Sequence, residues 1–377
     1  MIRADGATPV DARRWRDLAD RAVEPNVYLD PRWLLTSVRE HRDAADLRLL
    51  LVEDDDDLRG LFAFTLERAW SDAPFQAVST AGTFLRTHAE RHHPLIDPAD
   101  PTGVLEAMLG ALPSAGAGLA VLRKMPGDGP LADAFASAAA RRGIPVIENI
   151  RRPAAYAAAA DAEDPGATAP SSPDPDFDLP HASTRSRKRT RAYVRALERD
   201  AGELQLQDRS ADAAFADDFL ALQMAGWKGD ADRGGLAMGL DAMTERWFSR
   251  IVDAFRADGD VCGLELRGGD TTVYSTVSLR SGGMWAGFLD TYDDAYARHS
   301  AGTLGRIVEI NHLRRVSPHE PFDPNLDPYY AASTNLYPDR RDRVDLILAP
   351  GGATSRLLLK LMPRARALRD AIRSRSA

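Results

Sequence analysis

The run from Met284 to Leu304 does most to constrain what this chain can fold into. An apolar strand pattern, Met284-Trp285-Ala286-Gly287-Phe288-Leu289, passes into a polar turn that ends on Ser300 and Gly302, and a helical pattern then reaches about Arg315. A helix start leaves N–H groups without intrahelical acceptors and carries the positive end of the helix dipole. Strand, small-residue turn and helix start in succession therefore present backbone donors to an anion. Upstream, Val261 to Leu266, Thr272 to Leu279 and Gly283 to Leu289 read as a strand meander, with turns at Gly268-Gly269-Asp270 and Ser281-Gly282-Gly283. The turn after the last strand is the best placed working end of such a chain.

A length of 377 residues exceeds one ordinary core, so two domains are expected. The net charge of -8 argues against a free-standing nucleic-acid binder, and no DNA partner is expected. Cys262 is the only cysteine, which rules out an intramolecular disulfide; its apolar strand surroundings predict a buried, inert thiol. The N-terminal residues carry no apolar signal core and no stretch is long and apolar enough to span a bilayer, so the expectation is a cytoplasmic protein.

Residues Asp161 to Pro180 (DAEDPGATAPSSPDPDFDLP) are rich in Pro, Asp, Ala and Ser and read as a linker or surface loop. The expected division is 1–160, a linker over 161–180, and 181–377. In the first part, Val10 to Ala19, Val104 to Leu112 and Leu131 to Arg141 read as helices. Leu47 to Val52, Leu58 to Leu66, Leu119 to Arg123 and Ile144 to Ile150 read as strands, and Asp54 to Asp57 reads as a hairpin turn rather than a metal site. In the second part Arg185 to Asp200, Ala213 to Lys228, Met243 to Arg256 and Thr354 to Ile372 are helical, and Glu203 to Gln207 and Val344 to Leu348 are strands. The fold class that follows is α+β, with a mostly antiparallel sheet flanked by helices in each half.

Several segments in combination resemble the GNAT superfamily, and within it the Fem-like and CelD-like acetyltransferases built from two tandem GNAT-like domains. In the second half they are Ser183-Thr184-Arg185-Ser186-Arg187-Lys188-Arg189, Phe219-Leu220-Ala221-Leu222 leading to Gly226-Trp227-Lys228-Gly229, the set Asp290, Tyr292, Asp293, Tyr296, Ala297 and Arg298 before Ser300-Ala301-Gly302, and Phe322-Asp323. In the first half, Asn26 to Trp33 and Pro94-Leu95-Ile96-Asp97 are similar to recurring family segments, more weakly. The chain departs from the pattern twice. Ala301 stands where the family turn often has proline, and Tyr329-Tyr330 stand where it often has a lysine beyond the Phe-Asp pair.

The resemblance implies acetyl-CoA as co-substrate, with its diphosphate on the turn from Ser300 through Gly302 and Thr303 to Leu304 and with Arg298 and His299 beside it. Amine acetylation needs a base for the incoming ammonium and an acid for the leaving thiolate. Asp290 is the candidate base, or else a turn cap; Tyr292 and Tyr296 are candidate acids, or else packing groups. Trp227 and Lys228, with Asp323, are candidates for the acceptor site, while Trp227-Lys228-Gly229 also fits an ordinary helix C-terminus. His88, His92 and His93 do not match a zincin pattern and read as a surface cluster, so no metal is expected.

The helix from Arg185 to Arg199 is strongly basic and reads as a solvated face, with a phosphate or RNA role as the alternative. The C-terminal helix reads as a packed amphipathic element, and a membrane-surface contact is possible in principle but not expected. The reading implied is an acyl-CoA-dependent N-acyltransferase acting on a small-molecule amine, such as an amino sugar or an envelope or exopolysaccharide precursor. The alternatives are a Fem-type transfer from aminoacyl-tRNA to a peptidoglycan precursor, the one case in which tRNA is a partner, and a non-catalytic scaffold with a degenerate transferase fold. The oligomeric state is left open.

Overall fold

The computed structural model of the chain describes residues 1–4, 11–55, 57–68, 75–160, 174–326 and 335–362. Over these it is an α+β protein with two separate sheets. The first contains β1 (Ile2–Arg3), β2 (Arg48–Asp54), β3 (Asp57–Arg68), β4 (Gln76–Ser79), β5 (Leu95–Ile96), β6 (Leu119–Pro126) and β7 (Val146–Tyr156). The second contains β8 (Leu204–Asp208), β9 (Val261–Gly268), β10 (Thr271–Ser281), β11 (Met284–Tyr292) and β12 (Phe322–Asp323). The last strand, β13 (Asp339–Leu348), joins the first sheet, in the order β1-β2-β3-β4-β6-β13-β7 with β5 beside β3; the second sheet runs β12-β11-β10-β9-β8. The helices are α1 (Ala12–Arg21), α2 (Pro31–Glu40), α3 (Thr83–His88), α4 (Pro101–Ala111), α5 (Gly129–Arg141), α6 (Thr184–Ala201), α7 (Phe215–Ala225), α8 (Ala242–Arg256) and α9 (Ala301–Val316), and 353–362 form a further one.

Two compact units emerge, and each takes a segment from beyond a single cut at 161–180: one comprises Met1–Asp30, Asp43–Arg152 and Asp342–Ala377, the other Pro31–Arg42 and Pro153–Arg341. Packing explains both exchanges. The apolar face of α2 carries Trp33, whose ring meets Trp247 of α8 edge-on at 6.0 Å, and Trp247 Nε1 donates to Ser37 Oγ at 2.9 Å. Val344 and Leu348 of β13 belong to the core of the first sheet with Phe62, Phe64, Leu105 and Leu122, and β13 pairs antiparallel with β6 through Leu346↔Leu122. The predicted acidic hairpin forms, with Asp54 opposite Asp57 and Asp55 at a left-handed φ of 50°.

Residues 161–173 of the expected linker lie outside the described residues, as do 363–372 of the expected C-terminal helix and the five residues after it. The end of that linker is held in place: Asn311 Nδ2 of α9 donates to the carbonyls of Asp176 and Asp178 at 2.9 and 2.7 Å, and Leu179 is buried. Among the described residues no helix is long and apolar enough to cross a membrane.

The second unit carries the meander predicted from its turn glycines. Both β9–β10 and β10–β11 are antiparallel, and β11 pairs with β12 in parallel through Trp285↔Phe322 and Ala286↔Asp323. Beyond those two pairs no further β11–β12 register is formed among the described residues; instead Asn325 Nδ2 donates to Gly287 O at 2.9 Å. A β-bulge between Val277 and Ser278 falls opposite this point, where the extra residue Phe288 turns its ring onto Phe248 and Trp247. Helix α9 is buried over most of its surface and lies against β10 and β11.

Candidate functional site

Strand β11 ends at Tyr292 and a six-residue 3-10 turn, Asp294–His299, leads to α9. Asp293 caps this turn, its carboxylate accepting from Ala295 N at 2.9 Å. Ser300 then takes φ 58° and ψ 40°, a left-handed conformation uncommon for a residue with a Cβ, and α9 begins at Ala301 with no side-chain cap. Ser300 O accepts from Thr303 N at 2.9 Å and from Leu304 N at 3.0 Å, while Ser300 N donates to Ala297 O. The N–H groups ahead of the helix ladder are those of Ala301 and Gly302; Ala301 is fully buried, so of the five positions predicted to cradle an anion Gly302 is the one that keeps that capacity on a partly exposed residue. Leu304 and Ala301 face inward, fully buried with Val273 and Tyr274.

Asp290 is near the end of β11, paired in register with Thr276 of β10. That register turns its carboxylate toward α9, where Arg306 Nε donates to Asp290 Oδ2 at 2.7 Å and the Tyr274 hydroxyl reaches the same oxygen at 3.4 Å. Lys228 Nζ donates to Asp290 O at 2.6 Å and stands 4.0 Å from Asp290 Oδ1. Side-chain exposure of 23% for Lys228 and Asp290 and 19% for Arg306 leaves all three reachable from solvent. Asp290 is thus the anion between two cations rather than a turn cap.

Burial pulls the Lys228 ammonium below its ordinary pKa, with the Asp290 charge opposing. Burial also works against the Arg306 guanidinium, but Asp290 together with Tyr274 and Tyr337 offsets it and its pKa rises. Burial pushes the Tyr274 phenol well up, and Asp290 adds to the shift. One turn beyond Arg306, Glu309 is buried, with Oε1 accepting from Ser278 Oγ at 2.7 Å and Thr276 Oγ1 at 3.0 Å. Desolvation pushes its carboxyl up to about 7 against those two hydrogen bonds.

The other predicted residues fall around this group. Tyr292 and Tyr296 are half-buried and pack on the cluster of Leu197, Leu204, Tyr274 and Leu304; the Tyr292 ring lies over Gly302, where an added Cβ would come within 3.1 Å of it. Helix α7 ends at Ala225, earlier than the pattern suggests, because Gly226 is extended (φ -95°, ψ -172°), and Trp227-Lys228-Gly229 form a 3-10 turn. The Trp227 N–H donates to Asp294 Oδ2 at 2.6 Å, which ties the turn to the end of β11 and leaves the indole 38% exposed. Arg298 and His299 both meet Asp200 of α6, at 2.6 and 2.7 Å, and these contacts, that of Arg298 foremost, hold the Asp200 carboxyl below its ordinary value. Asp323 is buried and accepts from Asn325 N at 2.8 Å, shaping the turn after β12. Tyr329 and Tyr330 lie outside the described residues.

Sequence reasoning missed Arg306, Tyr274 and Glu309. One signal was present: Gly305 follows Gly302 by one helical step on a buried face, and a Cβ there would stand 2.1 Å from the Tyr274 ring, so glycine marks where strand and helix close on each other. The histidines are a correction. His92 and His93 are buried rather than superficial, because His92 bonds Leu85 O, Ala89 O and Thr80 Oγ1 and the His93 carbonyl takes Asn26 Nδ2 at 2.7 Å. Burial pushes the His92 imidazole down to about 3. Among the described residues no group of three His, Cys, Asp or Glu is arranged to hold a metal ion. Cys262 is buried and its thiol is pushed up by burial, as expected for an inert one.

Residues 184–315 match the family model of the acetyltransferase (GNAT) domain, a span that holds α6 to α9, the meander and every charged group of the site. The whole chain is similar in structure to FemX, with a TM-score of 0.54, 9% identity and coverage of 88% of this chain and 96% of that one. It is also similar to the C-terminal domain of a putative lysylphosphatidylglycerol synthetase from Agrobacterium fabrum, with a TM-score of 0.53, 14% identity and coverage of 93% and 94%. No curated protein sequence matches the chain. Residues 184–315 are therefore a GNAT-type domain. More narrowly, the fold of the whole chain is like that of FemX, with the domain matched by the family model in the second half of the chain.

Proposed function

We propose that the protein is an acyl-CoA-dependent N-acyltransferase, with acetyl-CoA as first-choice donor and a small-molecule amine, such as an amino sugar or an envelope precursor, as acceptor. One observation carries the reading: within the matched GNAT span, β11 parts from β12 after Ala286 and delivers the chain through left-handed Ser300 to the start of α9, where Gly302 is partly exposed. The Gly302 N–H and the helix dipole suit the diphosphate of CoA, the dipole contributing about 1 kcal/mol at most at a partly exposed site. The thioester supplies the activated acyl group.

The chain's own residues do the rest. Asp290, held by Arg306 and facing Lys228, fixes the charge at the end of β11. Its Oδ1 is the site where an acceptor ammonium would be drawn in and relieved of a proton. Lys228, desolvated and anchored on Asp290 O, meets an anionic group of the acceptor, and Trp227 offers an exposed aromatic wall beside it. Tyr292 and Tyr296, packed beside the helix start, are the candidate acids for the leaving thiolate.

A thermal-shift titration with acetyl-CoA tests this. Saturable stabilisation of the wild type is expected from mass action. It should be lost in Gly302→Trp, whose side chain would cover the start of α9 at Gly302, and retained in Lys228→Met. The absence of any shift in folded wild type up to millimolar acetyl-CoA refutes the reading. Transfer from aminoacyl-tRNA would then support the Fem-type alternative, and inertness to both donors the scaffold.

A further inference from the structure

The arginines that the second unit buries in part are partnered almost without exception. Arg209 bonds Asp212, Asp218 and Glu265, Arg280 bonds Asp260 and Glu320, and Arg306 bonds Asp290. A groove beside α6 breaks that habit at Arg187, the partly buried one of its three arginines; Arg191 and Arg195 are exposed. The groove is lined by Arg187, Arg191, Arg195, Val194, Phe177 and Asp178. The three arginines recur at four-residue spacing, so they form one row along the helix, each about 6 Å beyond the last. Among the described residues none of the three has an ion-pair partner, and Arg187 Nε is buried without a hydrogen bond. A buried donor left unmatched costs free energy that native structures rarely accept, so a group supplied from outside is the physical expectation.

We propose that this groove binds a soluble ligand bearing a phosphate or diphosphate group. Guanidinium forks match phosphate oxygens in pairs, and three of them set against the single carboxylate of Asp178 favour a multiply charged anion over a simple carboxylate. Phe177 and Val194 give the groove an apolar wall for whatever organic part the phosphate carries. The groove runs along α6 away from the turn at Ser300: from Asp200, which meets Arg298 and His299, Arg195 lies five residues back, about 8 Å, and Arg187 thirteen, about 20 Å at the rise of an α-helix. The basic helix is then more than a solvated face, and this holds whether or not the donor is acyl-CoA.

Isothermal titration calorimetry of the full chain with inorganic diphosphate at low salt is the test. The wild type should bind saturably, and Arg187→Gln/Arg191→Gln should bind at least about tenfold more weakly, the loss expected for charge-assisted hydrogen bonds. Arg191 is exposed, so Arg191→Glu serves as a second variant whose folding is not at stake, and it should abolish the binding. No binding by the wild type overturns the proposal. So does binding that survives in both variants with full stoichiometry, which would place the diphosphate on the turn at Ser300. Two parallel arms identify the source. Binding confined to phosphatidylglycerol vesicles, or to a mixed-sequence RNA, with none to diphosphate, overturns the assignment to a soluble ligand.

Discussion

The first unit and the second unit each gather arginine, carboxylate and a neighbouring titratable group at a strand end, and the two clusters end in opposite conditions. Around Asn26, the Arg91–Glu24 ion pair is 3.1 Å long with both side chains about 5% exposed, His93 is fully buried, and His92 is held at both ring nitrogens. Around Asp290, the Arg306–Asp290–Lys228 group keeps roughly a fifth of each side chain in solvent, and an exposed tryptophan stands beside it. A sealed polar cluster whose partners are all internal gives rigidity and has no surface on which to act. An open one retains capacity for a ligand.

Three changes would break or sharpen this contrast. The largest effect is expected from Arg91→Met, which removes the cation facing Glu24 in the interior. It should cost about 3–5 kcal/mol of stability in urea denaturation and leave acetyl-CoA binding per folded molecule unchanged. A large loss of affinity in the folded fraction would mean that the sealed cluster also serves the ligand.

Asp290→Asn comes next and should do the reverse. It keeps the shape of the side chain but removes the charge between Arg306 and Lys228. Turnover on an identified acceptor should fall by about 100-fold, the usual range for a lost acid–base group, with acetyl-CoA affinity retained. Turnover within a factor of two of wild type would remove Asp290 from the chemistry.

The smallest and most diagnostic effect is in pH dependence. The His92 imidazole sits at about 3 in the fold against an ordinary 6.5, so between those values the unfolded chain carries the extra proton and stability falls as pH falls. Glu309 sits at about 7 against an ordinary 4.5, so there the folded protein carries the extra proton, and its contribution is lost as pH rises through 7. Each slope is at most about 1.4 kcal/mol per pH unit, and between 4.5 and 6.5 the two oppose each other. Glu309→Gln deletes one, so between pH 4.5 and 7 its stability should rise with pH more steeply than that of the wild type. Parallel profiles for the two proteins would show that Glu309 does not titrate there.

Much of the second unit was legible before any coordinates. The alternation in Val261 to Leu289, the glycine turns between its strands, and the small residues at Ser300 and Gly302 are local signals, and local signals determine the meander, the turn and the start of α9. The charged helix α6, the acidic hairpin at Asp54 to Asp57 and the inert Cys262 follow from the same kind of information, since each depends on residues close together in the chain.

What the sequence could not contain is which distant groups meet. The side of β11 on which Asp290 points depends on its register against β10, and a slip of one residue would have sent the carboxylate away from Arg306. The exchange of α2 and β13 across the expected division, the burial of His92 and His93, and the unpartnered row Arg187, Arg191 and Arg195 beside Phe177 are likewise results of packing. Periodicity and turn chemistry act over a few residues and write themselves into the sequence. Partnership between charges depends on distance and desolvation across the folded chain, and only the tertiary structure decides it.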